Sequence, residues 1–188
     1  MKLTLTCLLL IGSSFLIAGQ DRNREEKSAD SAGQIVERKY DRFKDETTVT
    51  LKRQRILDSK SPRQVLEMSA TATFKGEQPT GTFDAVEVVF TSSAEKSPYF
   101  DSVELNFIVD GERVRGAHAN VGRSYNPEPL LASDLRLAKD LIAFVNLDAL
   151  RRVAGGKKVE MQLGPTELNL DTTTLNNLRK FASSVFSK

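Results

Sequence analysis

The stretch from Val103 to His118 reads VELNFIVDGERVRGAH, and it decides the fold class. Val103, Leu105, Phe107 and Val109 alternate with Glu104, Asn106 and Ile108 up to Asp110-Gly111, after which alternation resumes. Asp-Gly between two alternating runs predicts a β-hairpin, because both turn positions need positive φ and these residues tolerate it. A two-residue loop pairs Val109 with Glu112, Phe107 with Val114, Leu105 with Gly116 and Val103 with His118. In that register His118 shares the apolar face with Val103.

Working outward, a second hairpin is expected over Val159 to Leu170 (VEMQLGPTELNL). Gly164-Pro165 suits a type II′ turn, which asks for positive φ only at its first central residue. That turn pairs Met161 with Leu168 and Val159 with Leu170, and puts Glu160, Gln162, Glu167 and Asn169 together on the other face. Upstream, Leu66, Met68, Ala70, Ala72 and Phe74 alternate with Glu67, Ser69, Thr71 and Thr73, a half-buried strand. Strands are also expected over Glu46–Leu57, Ala85–Thr91 and Leu141–Val145, which are rich in β-branched and aromatic residues.

Two helices complete the pattern. Asn146 or Asp148 can cap a short one, with Leu147, Leu150 and Val153 on one face and Gly155-Gly156 as the stop. Asp171 is a natural cap for a C-terminal amphipathic helix, in which Leu175, Leu178, Phe181, Ala182, Val185 and Phe186 recur at helical spacing. The expectation is an α+β domain: an antiparallel sheet of about six to eight strands with the two helices packed on it.

The ends define the domain. Residues 1–19 hold one charge, Lys2, followed by an apolar run from Leu3 and a small-residue exit at Ala18-Gly19, the layout of an export signal peptide. The run is shorter than the roughly 20 apolar residues a membrane span needs, so no stable span is expected after cleavage at Ala18 or Gly19. Residues 20–34 have no large apolar side chain and read as a disordered tether. Residues 35–188 are read as a single α+β domain. The expected location is periplasmic or extracellular, in a bacterium.

Composition narrows the chemistry. Cys7 is the one cysteine and lies in the signal, so the mature chain has no disulfide. Without Lys2 the chain carries 26 basic and 25 acidic side chains, which is not the strongly basic balance of a nucleic-acid binder. His118 is the one histidine, so a histidine metal cluster is ruled out, as is a thiolate zinc site in the mature chain. No phosphate-binding glycine loop or calcium loop appears in the sequence. No metal or cofactor is expected.

Three kinds of residue remain as candidates. Aromatics in proline-bearing loops, Tyr99 and Phe100 in 94–101 and Tyr125 with Arg123 in 123–132, are candidate partner- or ligand-binding groups. A small hydrolase is the alternative; it would use His118 or a carboxylate pair drawn from Asp84, Glu87, Asp101, Glu104, Asp110 and Glu112. A further alternative is an anionic lipid or polymer binder, through Lys52, Arg53 and Arg55 or through Arg151, Arg152, Lys157 and Lys158. The leading expectation is a non-enzymatic binding or accessory domain with an unidentified protein or small-ligand partner.

Several segments together, YDRFKDETTV (40–49), DGERV (110–114), LDALRRVAGG (147–156), KKVEMQLG (157–164), TELNL (166–170) and LNNLRKF (175–181), resemble a group of small exported bacterial proteins of unknown function. The resemblance spans roughly Tyr40 to Phe186. It implies the same fold and compartment, and brings no activity, cofactor or catalytic residue.

Overall fold

The long alternating runs of the first half form a β-meander: β1 (Val36–Asp41), β2 (Glu46–Lys60), β3 (Arg63–Lys75) and β4 (Ala85–Ala94). The second half adds β5 (Ser102–Val109), β6 (Glu112–Tyr125), β7 (Leu137–Asn146), the helix α1 (Leu147–Gly155), β8 (Val159–Leu163), β9 (Thr166–Asn169) and the helix α2 (Thr172–Phe186). This computed structural model describes residues 34–60, 63–79, 83–94, 98–99, 102–125 and 137–186. The expected export signal, most of the expected tether and Phe100 lie outside the described residues. Ile35 to Lys188 is one compact unit.

All nine strands belong to one antiparallel sheet, in the order β1-β2-β3-β4-β7-β6-β5-β8-β9. The class is as expected, but the sheet has nine strands where six to eight were anticipated. The strand missed is β1 (VERKYD): only Val36 of its six residues is buried. β1 is an edge strand with only Val36 buried, so it carries no alternating pattern to read.

The sheet curls, and its inner face is covered. Register slips in β2–β3, β5–β6 and β6–β7 mark bulges, each of which adds twist. α1 packs on strands β4 to β7, while α2 follows β9 at one edge yet rests on β1 and β2 at the other. A helix of 15 residues is about 22 Å long, so the sheet must wrap round it for that contact to form. The five alternating residues Leu66 to Phe74 are all buried on this inner face, with Leu105, Phe107, Leu141, Met161 and Leu163.

Both helices start where the sequence placed their caps. The Asn146 side-chain oxygen accepts from the Ala149 N–H at 2.7 Å, and an Asp171 carboxylate oxygen accepts from the Thr174 N–H at 2.6 Å. α1 ends at Gly156, whose N–H returns to Arg152 and Val153. A side chain at Gly156 would put its Cβ 2.5 Å from a Val109 methyl, so the helix end sits tight against β5.

The two predicted hairpins behave differently. β8–β9 has the expected register, Met161 opposite Leu168, with Gly164 at φ +55° and the Leu170 N–H on the Val159 carbonyl. β5–β6 keeps Val109–Glu112 and Phe107–Val114, then slips: Leu105 faces Ala117, not Gly116. Val103 therefore faces Ala119, and His118 moves to the outer face opposite Glu104. The cause is steric. A Cβ on Gly116 would lie 2.4 Å from the Leu105 carbonyl oxygen, a position that only a bulged glycine can fill.

Candidate functional site

The helices cover the inner face, so the outer face is the open one, and β9, β8, β5 and β6 lie side by side there. Their outward residues form cross-strand rows. Asn169, Glu160, Ile108 and Arg113 make one row, and Glu167, Gln162, Asn106 and Arg115 make the next. Rows are about 7 Å apart and strands about 4.8 Å apart. A cavity of about 470 Å³ opens over the first row and part of the second. A second cavity, of about 380 Å³, shares Asn106 and Arg113 with it and runs on past Arg115 and Glu104 to His118. The two adjoin at Asn106 and Arg113 and together form a trough.

Its walls differ in charge. Glu160 and Glu167 stand on β8 and β9, Arg113 and Arg115 on β6, and the floor between is Asn106 and Ile108 of β5. Ile108 is exposed. Glu160 accepts from Lys158 at 2.6 Å, and Glu167 accepts from the Gln162 amide at 2.9 Å. The side chains of Arg113 and Arg115 have no ion pair or hydrogen bond among the described residues.

The basic residues singled out from sequence are mostly neutralised in place. Arg53 faces Glu67, Arg55 pairs with Asp58, Arg151 with Asp148, Arg152 with Glu112 and Lys158 with Glu160. The unpaired pair on β6 went unread because Arg-Val-Arg looks like the polar face of an ordinary strand. Its only sequence sign is alternation, which puts Arg113 and Arg115 on the same side.

Phe144 was missed as well. It is 60% exposed on the central strand β7, opposite Glu87. Ala143 faces the buried Ala119 of β6, so Phe144 and His118, their next neighbours, share the outer face at the end of the trough. The run Leu141-Ile-Ala-Phe-Val145 is apolar on both faces, and that was the available signal.

The aromatic residues expected to bind a partner fare differently. Tyr99 is fully buried. Its hydroxyl donates to the Thr166 hydroxyl at 2.8 Å and accepts from the Gln64 amide at 3.3 Å, tying the β8–β9 turn to β3. Burial raises its pKa above the ordinary tyrosine value, and the bonds to Thr166 and Gln64 pull the other way. Tyr99 is a core residue in this fold, not an exposed anchor. Arg123 and Tyr125 are strand residues of β6, with Tyr125 opposite Ala138, rather than part of a loop; their side chains lie outside the described residues.

The acid–base candidates do not converge. Asp110 accepts the N–H groups of Lys157 and Lys158, which lowers its pKa. Glu112 pairs with Arg152. Glu87 sits on β4 and Glu104 on β5, with β7 and β6 between them, and Asp84 is exposed. Asp101 lies outside the described residues. His118 is exposed, not on the apolar face as the unslipped register required, and its cavity has no serine, threonine or tyrosine in its lining. Among the described residues no group of His, Asp or Glu is placed to hold a metal ion, and no helix is long and apolar enough to cross a membrane.

The unpaired arginines, opposing carboxylates and amide floor suit the holding of a polar ligand by hydrogen bonds and charge. No protein-family model, no curated protein and no solved structure matches the chain.

Proposed function

We propose that this chain is an exported binding domain without catalysis of its own, working in a bacterial periplasm or outside the cell, and that its ligand lies in the outer trough of β5, β6, β8 and β9. The resemblance to small exported bacterial proteins belongs to the same reading. One observation carries the choice of surface: Arg113 and Arg115 face these two adjoining cavities with no ion pair or hydrogen bond among the described residues, while carboxylates stand on the opposite wall. An unpaired guanidinium pair is a ready site for an anionic group, and about 470 Å³ is within the usual range for a ligand site.

The test is a panel of short peptides, oligosaccharides and organic phosphates, titrated into the 15N-labelled domain. The expected result is that binders move the amide resonances of Asn106, Arg113, Arg115 and Gln162. Shifts confined to the helices, or turnover of any probe, would overturn the reading.

A further inference from the structure

We infer that the trough takes a short peptide with free ends, lying across the strands, with its terminal carboxylate at Arg113 and Arg115 and its terminal amine at Glu160 and Glu167. The inference rests on the proposed use of the trough and names its ligand class.

Three features of the trough point to this class. The first is polarity. Arg113 and Arg115 stand on β6 and Glu160 and Glu167 on β8 and β9, with Lys158 paired to Glu160 and Glu104 of β5 on the arginine side. Each wall carries its own sign of charge, so a ligand with one sign alone meets one wall that repels it. A dipolar ligand matches both. The second is length. From β6 through β5 to β8 is two strand spacings, about 10 Å, and to β9 three, about 14 Å. An extended chain covers about 3.5 Å per residue, so three or four residues fit between the walls. The third is the floor. Asn106 and Gln162 stand opposite each other midway; one N–H of each goes to a carboxylate, Glu104 or Glu167, and the second N–H and the carbonyl oxygen remain as the complement of a peptide group. Ile108 beside them gives a small apolar contact for a side chain. A guanidinium binds a carboxylate with two parallel hydrogen bonds, which a sugar hydroxyl cannot reproduce.

The test uses tetra-alanine, its N-acetylated form and its C-terminal amide, titrated into the mature chain and into an Arg113→Ala/Arg115→Ala variant. Both arginines are exposed, so the variant is expected to melt within a few degrees of the parent. Free tetra-alanine is expected to bind in the trough, and each cap to weaken it roughly two- to fivefold. In the variant, C-terminal amidation is expected to have no further effect, because the charge partner is already gone. If tetra-alanine fails to bind, or capped and free forms bind alike, the inference is overturned. If sugars or phosphates still shift Asn106 and Arg115, only the peptide assignment falls. If nothing in the wider panel moves the trough, the proposed site falls with it.

Discussion

The hairpins β5–β6 and β8–β9 lie next to each other in the sheet and were both legible as alternating runs about a two-residue turn. In β8–β9 the alternation holds to the end, and every residue faces the side its sequence position assigns. In β5–β6 one glycine breaks it. Because side chains alternate with period two, a single extra residue sends everything beyond it to the opposite face. The consequence is functional as well as geometric. The bulge turns His118 from the core to the outer face, at the end of the trough. A hairpin read from its turn is secure only as far as the first residue that cannot fit the ladder.

This contrast can be broken from the β8–β9 side with the largest effect. Tyr99 fills the space under the β8–β9 turn, and its hydroxyl joins Thr166 to Gln64. Tyr99→Ala is expected to cost about 3–5 kcal/mol, in the range for truncating a buried aromatic ring. Tyr99→Phe is expected to cost only about 1 kcal/mol, for the hydrogen bonds alone. Urea unfolding separates the two. A Tyr99→Ala midpoint close to the parent's would show that the ring is not what anchors the hairpin.

The β5–β6 side should respond to a smaller change. Gly116→Ala places a methyl against the Leu105 carbonyl, and the backbone must move to admit it. A loss of about 1–3 kcal/mol is expected, as for other overpacked sites. Amide exchange should rise in Leu105 to Ala119 first. Stability equal to the parent would mean the bulge tolerates a side chain and the steric account is wrong.

The smallest effect concerns pH, and it tests whether both hairpins are tied down in the same way. Asp110 in the first turn accepts backbone N–H groups from Lys158 and Lys157, and Asp171 after the second hairpin accepts from Thr174; in each case the pKa is lowered mainly by these bonds. A carboxylate whose pKa is lower when folded stabilises the protein fully above its unfolded value, near 3.9. That contribution is lost as pH falls through the folded value. Stability should thus fall with acidification below about pH 4, and Asp110→Asn and Asp171→Asn should each flatten that fall. Asp171→Ala should also cost about 1 kcal/mol at neutral pH through the lost cap. Thermal melts between pH 2.5 and 7 would show both effects, and an unchanged acid limb in the double variant would remove these carboxylates from the account.

Much of the fold was readable because its causes are local. The alternation from Leu66 to Phe74, the caps Asn146 and Asp171, the stop at Gly155-Gly156 and the Gly164-Pro165 turn each act within a few residues, so the sequence alone determined them. β1 was not readable, since an edge strand needs no buried stripe. The site was scarcely readable at all. Tyr99 looked like a loop anchor, yet the fold buries it against residues 35 and 67 positions away. Arg113 and Arg115 looked like ordinary surface, and only the placing of β8 and β9 beyond β5 set two carboxylates across from them.

The sequence by itself determined an antiparallel α+β domain, its helices, and both turns. The tertiary structure decided which charges stay unpaired, where the chain must bulge, and which face of the sheet is left open. Those outcomes depend on contacts between strands distant in sequence. No local pattern records such contacts, because a cross-strand neighbour is chosen by the order of strands in the sheet and not by the residues on either side of it.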